Sequence, residues 1–402
     1  MSSPVYITGA GIVSALGTGL ATTAQALGEG RCGLAPPRFL QTSHREFPVG
    51  EVPLSNAAMM ERLGIASGTP TTRCVLLGQM ALDEAIRSAR ISPDTLSHAA
   101  FISGSTVGGM DKSENHYQDF LHSDQDLWNE YIALHDVGTT TTRIADYGGH
   151  FGYTASLSTA CSSAANALLY GLQLIRSGER DLVIAGGTES LTRFHLNGFN
   201  ALLILDHAPC RPFCATRAGL NLGEGAAYLV LESAESAHRR HATPLALFSG
   251  GGNACDAFHQ TATSPEAEGP RRAMLAALAD AGLQPADIGY VNAHGTGTPD
   301  NDRSEAAALR QVFGSALPPY SSTKSATGHT TSASGAIEAA VCLLALRDGL
   351  LPANLNWRSP IEGMPAPVTV PQHGARIKHV LCNSFGFGGN DSALVFSQVT
   401  GT

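Results

Sequence analysis

The chain has 402 residues, of which 43% are hydrophobic and 15% charged, so it carries enough apolar side chains to fold into a globular body. Its net charge of -9 argues against a general nucleic-acid binder, and its 44 glycines follow no three-residue period, which excludes a collagen. Lysine is scarce, because arginine supplies all but three of the 25 basic residues. The lysines are Lys112, Lys324 and Lys378.

The cysteine content and the apolar stretches indicate the cellular compartment of the protein. Eight cysteines are too dilute for a disulfide scaffold, and the N-terminus has no cationic region ahead of an apolar segment. The most apolar helical stretch, residues 339–346, is bounded by Glu338 and Arg347 and falls short of the ~20 residues of a membrane span. We therefore expect a reduced, cytoplasmic protein without a membrane span.

The first third of the chain begins with a predicted strand. VYITGAGIVSALG is interpreted as a short strand and a tight glycine turn, and Ser14 stands where a dinucleotide-binding fingerprint would have its third glycine, so NAD binding is not expected. Apolar spacing predicts a helix over TRCVLLGQMALDEAIRSA, and AAFISGST follows as a strand. Residues 110–150 are polar and irregular, which indicates an inserted, partly helical excursion that is either a subunit interface or a solvated loop.

Two strand–turn–helix units dominate the remainder of the chain. The first is YTASLSTACSSAANALLYGLQLIRSGERDLVIAGG, and the second is YSSTKSATGHTTSASGAIEAAVCLLALRDGL. Strands that alternate with helices favour an α/β fold with buried sheets. The likeness of the two units predicts two related halves, residues 1–240 and 241–402, that meet near residue 240.

Four loops carry the residues that could do chemistry. Cys161 stands between a strand and a helix, where unpaired amides and the helix dipole should lower the pKa of its thiol. His294 and His329 lie in glycine-containing loops that are expected to follow strands, and the rare Lys324 precedes His329 by five residues. In NSFGFGGND, glycines around Phe387 free backbone amides for an oxyanion hole.

These motifs resemble the elongating β-ketoacyl-acyl-carrier-protein synthases of the thiolase superfamily. The similar segments cover nearly the whole chain and follow the order of that family: VYITGAGIVSALG, STACSS, DLVIAGGTES, RPFCATRAGLNLGEGAA, GYVNAHGTGTP, SSTKSATGH and NSFGFGG. The resemblance implies a thiolase-like, five-layered αβαβα fold with two duplicated halves, and a dimer. It also implies decarboxylative Claisen condensation of a malonyl group with an acyl group, both delivered on an acyl carrier protein.

The resemblance also assigns roles to residues. Cys161 matches the nucleophile that holds the acyl group, and His294 and His329 match the pair that binds the malonyl thioester carbonyl. The backbone N–H groups of Cys161 and Phe387 match the oxyanion hole, and Phe387 also matches a gating phenylalanine. Lys324 matches the lysine that orients the histidine site. The remaining assignments are Glu338 as the partner of that lysine, and Thr296 and Thr298 as hydroxyls that bind pantetheine.

No resident cofactor or metal is implied, because the phosphopantetheine arm arrives on the carrier protein. The sequence departs from the family pattern at Cys214, where aspartate is usual, and at Asn390 and Asp391, where threonine and asparagine are common. These departures point to a specialised pathway, such as polyketide or aryl-polyene synthesis, and fatty-acid elongation stays open as the alternative. The segment before Cys214 lacks the arginine expected for carrier-protein docking, so no docking residue is predicted.

Three alternatives remain open from the sequence. A non-catalytic chain-length partner in a heterodimer would have this fold, although such subunits usually replace the cysteine. A non-decarboxylating thiolase would need a second cysteine, for which Cys382 is the nearby candidate. A zinc site could use Cys161, His294 and His329 as ligands.

Overall fold

The computed structural model describes residues 3–122 and 132–399. The strands are β1 Val5–Ser14, β2 Gly17–Thr18, β3 Ala100–Gly104, β4 Tyr153–Leu157, β5 Leu182–Glu189, β6 Gly225–Ser233, β7 Ala246–Cys255, β8 Tyr290–Asn292, β9 Tyr320–Ser321, β10 His379–Gly386 and β11 Asn390–Ser397. The helices are α1 Leu20–Gly28, α2 Asn56–Leu63, α3 Arg73–Ala89, α4 Pro93–Leu96, α5 Met110–His122, α6 Val137–Gly148, α7 Ser163–Arg176, α8 Arg193–Ala201, α9 Ala234–Arg239, α10 Glu268–Ala281, α11 Pro299–Phe313, α12 Lys324–Thr327 and α13 Ser334–Asp348.

The strands of the described residues form two halves with the same topology. The strand order is β4-β3-β5-β6-β1 in the first half and, read from the opposite edge, β9-β8-β10-β11-β7 in the second. In both halves the first two pairings are parallel and the next two antiparallel. A short antiparallel contact between β1 and β7 joins them. The fold is therefore duplicated, as the sequence predicted.

Three layers of helices cover the two halves of the sheet. The helices α7 and α13 lie in the central layer, where their apolar side chains share one core with strands of both halves. The helices α3 and α6 cover the outer face of the first half, and α10 and α11 cover the outer face of the second. Residues 334–346 of α13 are all buried, as expected for a helix enclosed by protein on every side. This layering confirms the predicted αβαβα fold.

The opening strand differs from its prediction. Gly9 and Gly11 do not form a turn, since both lie within β1. A Cβ at Gly11 would stand 2.0 Å from the carbonyl oxygen of Ala81, and one at Gly9 would stand 2.6 Å from the Cβ of Ala89. These glycines therefore let α3 pack closely on the strand, a role that no local pattern reveals.

Helices α5 and α6 occupy much of the predicted excursion at residues 110–150. The middle of that excursion, residues 123–131, lies outside the described residues, and its role at a subunit interface stays a prediction. Since β6 ends at Ser233 and β7 begins at Ala246, we propose that the halves 1–240 and 241–402 meet in the segment that contains α9. Within residues 3–122 and 132–399, no helix has the length and apolar character needed to cross a bilayer.

Candidate active site

Cys161 lies in a sharp turn between β4 and α7. Ala160 adopts a left-handed backbone with φ of 52°, which is uncommon for a residue with a side chain. The Ser163 hydroxyl stabilises this turn, because it donates to the carbonyl of Ala160 at 2.6 Å and accepts from the N–H of Thr159 at 2.9 Å. The turn directs the Cys161 thiol into the interior, where the residue is 5% exposed.

The structure brings the two predicted histidines to this thiol. The Nε2 atom of His329 is 3.0 Å from the sulfur of Cys161, across 168 residues of sequence. The ring of His294 stands nearly perpendicular to that of His329, with 5.2 Å between the ring centroids. His294 follows β8, as expected, whereas His329 follows the single turn of α12 rather than a strand. All three side chains are buried in one site.

Lys324 contacts both the backbone carbonyl and the ring of His294. Its ammonium group donates to the carbonyl of His294 at 2.7 Å, forms an ion pair with Glu338, and lies 3.2 Å from Nδ1 of His294. An ammonium group has three donors and no acceptor, so Nδ1 must accept and the proton of the neutral imidazole is placed on Nε2. Lys324 is 1% exposed, which separates it from ordinary surface cations.

The predicted lowering of the Cys161 pKa is wrong. Burial raises the pKa of the thiol to about 11, although the charge of Lys324 and the backbone N–H of Phe387 both act to lower it. The expectation from the helix terminus failed because loss of water around the sulfur outweighs these favourable groups. Cys161 therefore needs a base to take its proton, and Nε2 of His329 is in position to do so.

Both active-site histidines are neutral at ordinary pH. Burial holds the pKa of His294 and of His329 well below 6.5, and the nearby charge of Lys324 lowers both further. A neutral imidazole has one donor and one acceptor nitrogen. The pair can therefore offer N–H groups to an oxygen that develops negative charge, and His329 can instead accept a proton.

A cavity next to Cys161 brings most of the predicted site residues together. Its lining includes the active-site cysteine and histidines, together with Phe385, Phe387, Thr296 and Thr298. The Thr296 and Thr298 hydroxyls are 2.9 Å apart, so these two predicted residues form one polar patch on the wall. Phe387 belongs to the turn between β10 and β11, which aims its backbone N–H at the sulfur.

Sequence reasoning missed Phe199, on α8, which also lines this cavity. Its ring stacks on that of Phe387, with centroids 5.8 Å apart and an interplanar angle of 18°. No local signal marks Phe199, because the contact joins α8 to the turn after β10. Any movement of Phe387 must therefore break or shift this stack.

Two further carboxylates hold the histidine loops and were also missed. Glu305 on α11 accepts the N–H groups of His294 and Gly295 at 2.8 and 2.7 Å. Glu189 at the end of β5 accepts the Thr331 and Ser332 hydroxyls, just beyond His329. The only sequence signals were an acidic residue eleven positions after His294 and one in DLVIAGGTES. Burial raises the pKa of Glu305 to about 7.

Several buried side-chain atoms have no hydrogen-bond partner in the described residues. They include the side-chain atoms of Asn292, Oε2 of Glu338, Oδ1 of Asn383 and Oγ of Ser384. Among the described residues, no group of three or more histidine, cysteine, aspartate or glutamate side chains is placed to bind a metal, so the geometry gives no support to the zinc alternative.

One departure from the family pattern, Asn390, ties the nucleophile turn to the opposite half of the molecule. Its Oδ1 accepts the Ser162 hydroxyl at 2.9 Å, and side-chain amides of Asn166 and Asn253 at 2.7 and 2.9 Å. Ser162 directly follows Cys161, so this network fixes α7 against β11. At the second departure, Cys214, Arg217 finds an acidic partner in Asp302, with 3.7 Å between Nε and Oδ2.

Comparisons with known proteins bear on the family of this chain. The family model described as the N-terminal domain of β-ketoacyl synthase matches residues 2–237, and that for the C-terminal domain matches residues 245–358. Nodulation protein E of Rhizobium meliloti is 35% identical over 99% of this chain and 100% of that protein. 3-oxoacyl-[acyl-carrier-protein] synthase 2 of Staphylococcus aureus is 33% identical over 98% of each chain. A solved structure, the ishigamide ketosynthase/chain length factor, has a TM-score of 0.93 and 31% identity over 100% of both chains.

Proposed function

The chain belongs to the β-ketoacyl synthase family of acyltransferases, and from this we propose that it joins an acyl group held on Cys161 to a malonyl group by decarboxylative Claisen condensation. Both groups would arrive as thioesters of an acyl carrier protein, and the product would be a 3-oxoacyl thioester. The observation that carries the proposal is the meeting of Cys161 with His294 and His329 in one buried cavity. Fatty-acid elongation and a specialised polyketide or aryl-polyene pathway both use this reaction.

In the first half-reaction, Nε2 of His329 takes the proton of Cys161 as the sulfur attacks the acyl thioester. The negative charge that forms on the carbonyl oxygen is held by the backbone N–H groups of Cys161 and Phe387, and preorganised donors of this type lower such barriers. The tetrahedral intermediate then releases the pantetheine sulfur, which receives the proton from His329. This leaves the acyl group on Cys161 as a thioester.

In the second half-reaction, His294 and His329 bind the carbonyl oxygen of the malonyl thioester. Loss of CO2 leaves an electron pair on the α-carbon and spreads its charge onto that oxygen as an enolate. Two neutral imidazole N–H donors stabilise this charge, and Lys324 keeps the donor of His294 on Nε2. The enolate carbon then attacks the acyl carbonyl, the sulfur of Cys161 leaves as a thiolate, and a proton from water restores the thiol.

The remaining predicted residues have supporting roles in this proposal. Thr296 and Thr298 would hydrogen-bond the amide groups of pantetheine, and Glu338 would keep Lys324 in place through its ion pair. Phe387 would move to admit the acyl chain, which also requires a shift of its stack on Phe199. The chemistry needs no resident cofactor, because the pantetheine arm comes with the carrier protein.

We also propose that the chain acts as a dimer, either with a second copy or with a related subunit. In the described part of the chain, β4 lies at one end of the sheet and pairs only with β3. Such an edge strand offers unpaired backbone groups to another chain. The similar structure titled as a ketosynthase/chain length factor supports a related subunit as the partner.

The test combines the purified chain, an acyl-loaded carrier protein and a malonyl-loaded carrier protein. We expect an acyl adduct on Cys161 by mass spectrometry, followed by CO2 release and a 3-oxoacyl product. A chain that neither loads acyl groups nor decarboxylates malonyl would instead be the non-catalytic partner subunit. Robust condensation of acetyl-CoA alone, without a malonyl donor, would favour the thiolase alternative.

A panel of acyl-loaded carrier proteins then addresses the pathway. Chains that differ in length and in unsaturation should load onto Cys161 at different rates, because the pocket beyond the cysteine must enclose them. Preference for saturated chains would support fatty-acid elongation, and preference for polyene or 3-oxo chains would support a specialised pathway. The variant Cys161→Ala is the matched control, since no adduct should form on it.

A further inference from the structure

His329 is held at both ring nitrogens by groups that differ in kind. Its Nε2 is 3.0 Å from the Cys161 sulfur, and its Nδ1 is 3.0 Å from the hydroxyl of Ser334, the first residue of α13. The Ser334 hydroxyl is in turn 3.2 Å from that of Thr330. His329 and Ser334 are each 2% exposed, and Thr330 is 1% exposed, so bulk water does not compete for these contacts.

His294 and His329 differ in the tautomers that their neighbours allow. Lys324 faces Nδ1 of His294 with a group that only donates, which fixes one tautomer. A hydroxyl both donates and accepts, so Ser334 satisfies Nδ1 of His329 whether or not that atom carries a proton. When Ser334 accepts from Nδ1, its own proton points to Thr330, and when it donates to Nδ1, it accepts from Thr330. The hydrogen bonds of this chain can therefore reverse direction as a set.

The proposed reaction needs both tautomers of His329. Acyl loading requires a lone pair on Nε2 to receive the Cys161 proton, which places the imidazole proton on Nδ1. Decarboxylation requires an N–H on Nε2 that points at the malonyl carbonyl, which leaves Nδ1 as an acceptor. His294 has no such dual task, since it does not contact the thiol in loading.

We infer that Ser334 is a positioning residue that supports His329 as a base during acyl loading and as a hydrogen-bond donor during decarboxylation. The inference rests on the proposed function for its second role. In loading, the Cys161 proton moves to Nε2, the imidazolium is held through Nδ1–H by the Ser334 oxygen, and the proton then leaves with the pantetheine sulfur. No proton is gained or lost by Ser334 or Thr330, whose hydrogen bonds only change direction.

The first test measures alkylation of Cys161 by iodoacetamide from pH 6 to 10, followed by the mass of the peptide that contains Cys161, because the exposed Cys32 and Cys255 also react. The titratable and charged groups that surround His329 in this range are Cys161, Glu189, His195, His294, Lys324 and Glu338. Ser334→Ala leaves the imidazolium with an unsatisfied N–H. Since a hydrogen bond to a charged group is worth about 1.5 to 3 kcal/mol, alkylation at pH 7 should slow about 10- to 150-fold.

The pH profile distinguishes positioning from a structural defect. In Ser334→Ala we expect the profile to move to higher pH by at least about one unit, as the thiol loses the help of its base, because each unit corresponds to about 1.4 kcal/mol. Ser334→Thr keeps a hydroxyl and should stay within about threefold of the native rate. Ser236→Ala is the matched control, because it removes a buried hydroxyl near the start of α9. In the part of the chain that the structure describes, this hydroxyl bonds only to Glu232. A uniform slowing at every pH, or no slowing, would overturn the inference.

A second measurement needs no variant of Ser334. Protein labelled with ¹⁵N-histidine should show the proton of His329 on Nδ1 in the free enzyme and on Nε2 once Cys161 is alkylated, because the capped sulfur no longer donates to Nε2. The His329→Gln spectrum assigns the signals. The same tautomer in both states would contradict the inference. Neither readout uses a carrier protein or malonyl group, so a failure of condensation alone would count against the proposed function and not against Ser334.

Discussion

Asp391→Asn offers a test of how burial controls the pH dependence of stability. Asp391 is 1% exposed, one of its carboxyl oxygens has no hydrogen-bond partner in the described residues, and burial, with the added charges of Asp256 and Glu305, raises its pKa from 3.8 to about 8. Between these two values the folded protein holds a proton that the unfolded chain has released. The contribution of this proton to the unfolding free energy is therefore complete below about pH 3.8 and declines as the pH rises to about 8.

The size of the effect follows from linkage. Each unit of rising pH within this window lowers the unfolding free energy by about 1.4 kcal/mol. Asp391 alone should therefore lower it by about 4 kcal/mol as the pH rises from 5 to 8. Asparagine has nearly the same shape and cannot ionise, so Asp391→Asn should remove this slope. Relative to the native protein, the variant should gain stability steadily as pH rises.

Urea unfolding at each pH unit from 5 to 8 measures this difference. The control is Asp280→Asn, which alters a partly exposed aspartate that pairs with Arg176 and should shift stability by a small, nearly constant amount. If the stability difference between Asp391→Asn and the native protein were the same at pH 5 and pH 8, the argument from burial would be refuted.

Four further predictions address the site. Cys161→Ala should give no acyl adduct yet still decarboxylate malonyl groups, and an adduct detected by mass spectrometry would contradict the assigned nucleophile. His294→Ala should load acyl groups but decarboxylate about 100- to 1000-fold more slowly, as measured by CO2 release, and a native rate would exclude its role as a donor. Lys324→Met should impair decarboxylation more than loading, so equal losses in the two assays would argue against orientation of His294. Asn390→Ala removes the acceptor of three hydrogen bonds and should lower the unfolding free energy by about 1 to 3 kcal/mol in urea, while unchanged stability would show that the network contributes nothing.

The sequence located the parts of the fold that depend on local pattern. Apolar spacing predicted α3, and the small residues after β4 predicted a sharp turn at Cys161 before α7. The motif order predicted a thiolase-like fold, and the structure and the family models agree with it. Glycine misled the prediction at β1, because Gly9 and Gly11 serve contact with α3 rather than a turn.

Residues of the site were named from the sequence, but their distances were not. Cys161 and His329 are 168 positions apart, and only the stacking of two sheet halves around α7 and α13 places them 3.0 Å from each other. The same is true of the contacts made by Phe199 and Glu189. Each depends on which elements pack together, and no local pattern encodes this.

What the sequence determined by itself was the order of strands and helices, which follows from short periodicities, and the candidate reacting groups, which the resemblance to a known family assigned. Only the tertiary structure decided the proton affinity of those groups. The Cys161 thiol gained a pKa of about 11 instead of a lowered one, since the energy of a charge depends on all the atoms that replace water around it. That environment is assembled from both halves of the chain.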